Sequence, residues 1–443
     1  MTKLHRAGPL FTDLYELTMA ASYFAHRVFS TATFSLFIRE NYLKRNFFVA
    51  AGLEDVLNEL AAFRFSGQDI EYLRTTGIFS KDFLSYMAGL RFSGKIFAMP
   101  EGTIFFSNEP ILEVTAPIIE AQLIETFLLN TIGFQSMIAS KAARCIHVAG
   151  DRPLIDFSLR RTQGQDAGQN VARTTYIAGF AATSNVLAGQ IYGIPISGTM
   201  AHSYVEAFSG DLAAFSAYSK TFPDNSIFLI DTYDTINGAK HAVTIAKQMK
   251  ENGHSLIGVR LDSGDMVDLS QKVRKIFDDA GLSNVKIFAS SGFDEFKIAK
   301  IISQGAKIDA FGVGTKVGVS ADAPYLDVVY KMVHFKDRDV RKLSPGKMTL
   351  AGEKQVFRKS DPNGRYLEDI IGLRDDIINQ SRPLLKKVME NGEMLQPHPS
   401  LQTIRDRFKK NFALLDDRYK SIFEHNAYPV TLSNSLQKLQ ERT

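Results

Sequence analysis

The chain has 443 residues, with 52 Lys and Arg against 48 Asp and Glu for a net charge of +4, and an apolar fraction of 45%. That length exceeds what one hydrophobic core usually supports, so a principal domain and a second one are expected. The near balance of charge excludes a nucleic-acid coat, and the composition excludes a disordered or fibrous chain.

At the N-terminus, MTKLHRAGPLFTDLYELTM lacks the continuous apolar core of a signal peptide, and no stretch reaches the roughly 20 apolar residues of a membrane span. TATFSLFIREN, FSGKIFAMPEG and TIFFSNEPILEVTAP then read as antiparallel strands joined by helical pieces such as AAGLEDVLNELAAF. They predict an α+β domain over residues 1–125. Tyr15, in TDLYELTM, sits on a short N-terminal helix where packing into the core is the default reading. Cys145 stands alone in the helix-like apolar stretch Ser136 to Val148 and reads as a buried thiol; a single cysteine fits a reducing, cytoplasmic setting.

Residues 126–330 carry a repeated grammar, clearest from Pro153 to Gly318: a short apolar run, polar residues with glycine, then helical spacing. The runs are RPLIDFSLRR, GIPISGTMAHS, SIFLIDTYDT, HSLIGVRLDSGD, NVKIFASSG and AKIDAFGVGT. Such alternation builds parallel sheets, and six units predict a (β/α) barrel within an α/β class. Helices are expected at Thr174–Leu187, Asp211–Lys220, Thr235–Lys250, Asp265–Ala280 and Asp294–Gly305, the last three opening on capping residues. The segment 331–443 has further strand runs with Ser-Pro-Gly and Ala-Gly turns, a proline-containing connector and a charged helix near Leu401–Phe423. It is expected to return and complete the first domain.

In such a barrel the reacting groups stand at the C-terminal ends of the strands. Arg160 and Arg161, Thr199 and His202, Asp231 and Asp234, Arg260 and Asp262, Ser290 to Gly292, and Gly314 with Thr315 all follow or end apolar runs, so they are expected to converge on one mouth. The small residues of IFASSGFDE and DAFGVGTKVG expose backbone N–H groups that suit a phosphate, although glycines there also serve plain turns. Neither loop has the Walker or dinucleotide pattern. Arg260 and Asp262, two apart, would share one side of a strand. The guanidinium suits a carboxylate or phosphate and the carboxylate a ribose diol or hydrated Mg²⁺, while a rim ion pair is the alternative. His202 is open to acid–base work, metal ligation or phosphate acceptance. No second His lies at ligand spacing, which argues against zinc. Phe157 with Arg160 suits a flat anionic ring, or core packing with a solvated cap.

The ordered set TDLYELTM, IDFSLRRTQGQDAGQNVA, SGTMAHSYVEAF, LIDTYDT, VRLDSGD, SSGFDE and FGVGTKV resembles the nicotinate phosphoribosyltransferase family from about Pro9 to Tyr330, with a looser match beyond. The resemblance implies the type II phosphoribosyltransferase fold: an irregular α/β barrel with an α+β domain, usually a homodimer with shared active sites. It implies formation of nicotinate mononucleotide and pyrophosphate from nicotinate and phosphoribosyl pyrophosphate, coupled to ATP hydrolysis with Mg²⁺. By likeness, Tyr15 from a second copy and Phe157 sandwich the pyridine ring. Arg160, Thr199 and Arg260 hold nicotinate and the donor, and Asp262 meets ribose or Mg²⁺. Ser291, Gly292, Gly314 and Thr315 receive the 5′-phosphate. His202 is phosphorylated by ATP while Asp231 holds its imidazole.

Nicotinamide-using relatives carry an Asp in the helix after the arginine motif; aligned there, this chain has Ser184, which favours the acid over the amide. Phe293 departs from the pattern, where a smaller or aliphatic residue is expected. A quinolinate enzyme would call for more basic residues around the ring and no phosphorylated His. A non-catalytic metabolite sensor would be expected to have lost the charged residues that stand here.

Overall fold

The computed structural model describes residues 8–39, 45–344 and 349–443. Two compact units emerge, one formed by residues 141–322 and the other by residues 1–140 together with 323–443. Pro345 and Gly346 of the expected Ser-Pro-Gly turn lie outside the described residues.

Residues 141–322 form an alternating α/β unit. Its strands are β1 (Leu154–Asp156), β2 (Ala182–Thr183), β3 (Ile227–Leu229), β4 (Gly258–Leu261), β5 (Lys286–Ala289) and β6 (Ala310–Val313). They make one sheet in the order β2-β1-β6-β5-β4-β3 with every pairing parallel. These strands are short and mostly buried, as expected of a sheet covered by helices. Residues of five strands, Ile155, Ile227, Arg260, Phe288 with Ala289, and Gly312, line a common cavity, so the sheet is rolled into an irregular barrel.

The helices are α1 (Gln165–Ile177), α2 (Val186–Tyr192), α3 (His202–Glu206), α4 (Asp211–Thr221), α5 (Thr235–Glu251), α6 (Met266–Asp279), α7 (Glu295–Ser303) and α8 (Thr315–Gly318). The Asp234, Asp265 and Asp294 side chains cap α5, α6 and α7 by accepting from backbone N–H groups of the first turn. The expected helix Thr174–Leu187 is instead two helices with β2 between them. Gly179, at φ +112°, takes the chain out of α1 in a conformation that suits glycine. GIPISG supplies only a single bridge, Ile196 to Thr183. Pro195 has no N–H to donate there and serves as acceptor for the N–H of Thr183.

In the other unit a seven-stranded sheet runs Arg338–Asp339, Val328–Phe335, Thr31–Ile38, Pro110–Pro117, Lys95–Ala98, Lys386–Glu390, Glu393–Met394, each pair antiparallel. Strands from both ends of the chain therefore share one sheet. A second sheet orders Ser381–Pro383, Lys354–Ser360, Tyr366–Leu373 and Val430–Leu432. Charge is buried inside this unit. The Arg358 and Asp369 side chains have no exposure and are joined by Nε to Oδ1 at 2.8 Å. Burial, followed by the charge of Asp369, holds the neighbouring Glu109 carboxyl well above the usual carboxylate range, while Arg358 opposes the shift. Glu113 accepts from the Lys354 N–H at 2.9 Å and pairs with the Arg374 guanidinium.

Cys145 is fully buried in the helix Glu125–Ala149, and burial pushes its thiol up. Among the described residues no helix is long and apolar enough to cross a membrane.

Candidate active site

The C-terminal ends of the parallel strands carry most of the candidate residues. Phe157 follows β1, and its N–H donates to Val313 O on β6 at 2.8 Å. Its ring lies over Gly312, where a Cβ would come within 2.5 Å of the ring, so glycine makes the close approach possible. Just upstream, Asp156 is fully buried and accepts from Ser158 N–H at 2.9 Å and Thr183 Oγ1 at 2.7 Å. Burial raises its carboxyl pKa against the pull of those hydrogen bonds. Asp156 thus ties the ends of β1 and β2 together.

Arg160 lies exposed in the short 3₁₀ turn Leu159–Arg161. Arg260, on β4, is largely buried, and its Nη1 donates to the hydroxyl of Thr199. Burial lowers its guanidinium pKa, with Arg160 adding to that and Asp262 and Asp231 opposing it. The Nε–H of Arg260 has no hydrogen-bond partner among the described residues. A desolvated guanidinium with a donor to spare is a strong anchor for a planar anion.

Beyond β4, the Asp262 N–H donates to Asp231 Oδ2 at 2.8 Å, and the Ser263 hydroxyl donates to the same oxygen at 2.7 Å. Asp262 in turn accepts from the hydroxyl of Ser290 at the end of β5. Its second oxygen, Oδ2, lies 3.7 Å from His202 Nε2, and both side chains are over a third exposed. The other imidazole nitrogen, Nδ1, is 3.1 Å from the hydroxyl of Thr232. The expectation that Asp231 holds the imidazole is therefore not what the geometry shows. Asp231 Oδ2 is taken by the β4 loop, and the residue at His202 is Thr232. Asp234, expected at the mouth, caps α5 through a 2.8 Å bond from Asn237 N–H.

Ser184 is in the bend between β2 and α2 and not on a helix, with its N–H donating to Asp156 O at 2.8 Å. The strand inserted at Ala182–Thr183 moves it to a strand end, which brings it to the same rim as Phe157. Tyr15 belongs to the antiparallel unit, on the helix Leu14–Ala25, and is 47% exposed; burial of the remainder, with Glu125 and Glu16 nearby, raises its hydroxyl pKa.

The two glycine loops differ in build. Ser291 and Gly292 have φ of +118° and +61°, consecutive residues in a conformation rare for a serine. Gly314 opens the single turn of α8, and Thr315 is exposed beside it. Phe293 points inward, fully buried, its ring 5.1 Å from that of Phe311. The departure from the family pattern thus fills the core.

Two lysines missed in the motifs converge here. Lys297 Nζ donates to Ser291 O at 2.6 Å and Lys316 Nζ to Asp294 Oδ2 at 2.7 Å. Burial and then the charge of Lys316 lower the Lys297 pKa. Lys316 was visible, directly after Gly314 and Thr315; Lys297 needed the fold. Behind them a buried cluster fixes α7: Glu295 accepts from Lys141 Nζ at 2.5 Å and Arg144 Nε at 2.8 Å, and Lys141 also meets Asp322 at 2.8 Å.

Known proteins share the sequence and the fold of this chain. Residues 10–133 match the nicotinate phosphoribosyltransferase N-terminal domain, 153–346 the nicotinate phosphoribosyltransferase family, and 378–440 its C-terminal domain. The likeness therefore extends past Tyr330. A nicotinate phosphoribosyltransferase of Mycobacterium tuberculosis is 47% identical over 431 residues, 97% of this chain and 92% of that protein. The crystal structure of human nicotinic acid phosphoribosyltransferase superposes with a TM-score of 0.88 at 30% identity, covering 97% of this chain and 99% of that one. A nicotinate-nucleotide pyrophosphorylase from Pyrococcus furiosus follows with a TM-score of 0.76 at 25% identity, covering 94% and 99%. With close to half of its residues shared over nearly its whole length, the chain belongs to the nicotinate phosphoribosyltransferase family.

Proposed function

We propose that this chain forms nicotinate mononucleotide and pyrophosphate from nicotinate and phosphoribosyl pyrophosphate, coupled to ATP hydrolysis through a phosphohistidine at His202, in NAD biosynthesis and salvage. The observation that carries the reading is the meeting of Phe157, Thr199 and Arg260 around one cavity, lined by an aromatic ring, a hydroxyl and a guanidinium. A flat ring bearing a carboxylate suits that lining.

Pyrophosphate leaving C1 creates an oxocarbenium-like ribose that the pyridine nitrogen attacks directly, so no protein nucleophile is required for this step. The residues have to position the reactants and neutralise the leaving group. Arg260 and Arg160 would hold anionic groups at the mouth. Ser291, Gly292, Gly314 and Thr315 would receive the 5′-phosphate, with Lys297 and Lys316 supplying charge. Asp262 fits Mg²⁺ or the ribose diol, because Oδ1 already has Ser290 while Oδ2 faces the mouth beside His202. Bound there, Mg²⁺ would neutralise pyrophosphate charge.

Ser184 places no carboxylate on the rim beside the ring, which favours nicotinate over nicotinamide. The half-exposed Tyr15 is proposed to cover the ring in a homodimer, supplied by a second copy. Turnover of nicotinate, nicotinamide and quinolinate tests the assignment. Preference for either of the latter two overturns it, and binding of nicotinate without product in the presence of donor, Mg²⁺ and ATP would mark a sensor.

A further inference from the structure

We infer that Thr232 is the residue that positions His202, holding Nδ1 so that Nε2 is the nitrogen that takes the phosphoryl group. This rests on the phosphohistidine reading above.

The two faces of the imidazole differ. Nδ1 lies 3.1 Å from the Thr232 hydroxyl, within hydrogen-bond range. Nε2 lies 3.7 Å from Asp262 Oδ2, beyond that range. Nδ1 is thus covered by the protein, and Nε2 opens toward the carboxylate that faces the mouth. His202 starts the short helix α3, and Thr232 follows β3, so the contact joins two successive βα units. The other candidate for the role, Asp231, makes no bond to His202 among the described residues: its Oδ2 takes the Asp262 N–H and the Ser263 hydroxyl, and its Oδ1 is buried without a hydrogen-bond partner there.

The chemistry explains why a hydroxyl suits this place. Nε2 attacks the γ-phosphorus of ATP, the N–P bond forms, and the bond from that phosphorus to the β,γ-bridging oxygen breaks to release ADP. The phosphorylated ring keeps its proton on Nδ1 and carries positive charge, so Nδ1–H must donate, and the Thr232 oxygen accepts. Water then attacks the phosphorus, the N–P electron pair returns to Nε2, and the water proton leaves with phosphate or to solvent. A carboxylate at Nδ1 would stabilise the cationic phospho-ring more strongly than a neutral hydroxyl does. A hydroxyl orients the ring while leaving the phosphoryl group easily transferred.

The test uses the full-length protein with radiolabelled ATP and Mg²⁺, reading labelling rate per chain and the phosphohistidine isomer after alkaline digestion. Wild type is expected to carry label on Nε2. Thr232→Val, close in shape but without the hydroxyl, is expected to label about tenfold more slowly, the loss of one orienting hydrogen bond. Thr232→Ser is expected to restore most of the rate, a rescue that a purely space-filling role would give to Val instead. Label on Nδ1, or an unchanged rate in Thr232→Val, overturns the assignment of Thr232 while leaving the carrier role of His202 standing. A wild-type protein that takes no label at all overturns the carrier reading and the positioning role with it.

Discussion

The mouth of the parallel unit and the core of the antiparallel unit place their charges in opposite ways. At the mouth of the parallel unit, His202 and Asp262 stand at strand and helix ends with 39% and 36% of their side chains exposed. In the antiparallel unit, Arg358 and Asp369 are wholly buried, and Glu113 is enclosed with Lys354 and Arg374. A buried pair survives because each partner replaces the hydration the other lost; removing one leaves a bare charge in a poor solvent. The buried charge of the antiparallel unit is therefore architectural, whereas His202 and Asp262 at the barrel mouth remain accessible from solvent.

That contrast can be broken by substitution. The largest effect on stability is expected from Arg358→Met, which strands Asp369 and should lower the unfolding free energy by about 3–5 kcal/mol in denaturant titration. Replacing Asp369 by Leu as well should recover most of the loss. Arg260→Ala should instead lower kcat/KM about a hundredfold or more while moving stability by less than about 1 kcal/mol. A stability loss as large as that of Arg358→Met would make Arg260 a second architectural cation.

Ser184→Asp should raise KM for nicotinate about tenfold and narrow the preference over nicotinamide, since a carboxylate repels the acid and accepts from the amide. The smallest effect concerns acid stability. Although burial raises the Asp294 carboxyl, its bonds from Lys316 and the Lys297 N–H outweigh that and hold its pKa below the usual carboxylate range. A depressed folded pKa gives stability that is present above the unfolded pKa and is lost as pH falls through the folded one. Asp294→Asn should thus show a flatter decline of thermal midpoint below about pH 4. Parallel curves for the two proteins would remove Asp294 from that role.

Much of the barrel was legible because a parallel strand covered on both faces writes a compact apolar run, and because Asp265 and Asp294 announce the helices they cap; for α5 the cap expected at Thr235 is Asp234. The two-residue strand Ala182–Thr183 was not, since so short an element has no period and owes its conformation to β1 beside it. Ser184 was misplaced on a helix for that reason. The motifs brought His202, Asp231 and Asp262 to one mouth but could not say which touches which, because a difference between 3.1 and 3.7 Å belongs to the fold. Phe293 departs from the family pattern in its loop and is a core residue. In the antiparallel unit the strands were visible, while the pairing of Thr31–Ile38 with Val328–Phe335 spans some three hundred residues and leaves no local mark.

ATP hydrolysis and mononucleotide formation, measured together in wild type and His202→Ala, bear most directly on the role of the mouth. His202→Ala should lose the ATP-dependent gain in product and the associated ATP hydrolysis while keeping some synthesis that needs no ATP. ATP stimulation unchanged in His202→Ala would contradict the phosphoryl-carrier role.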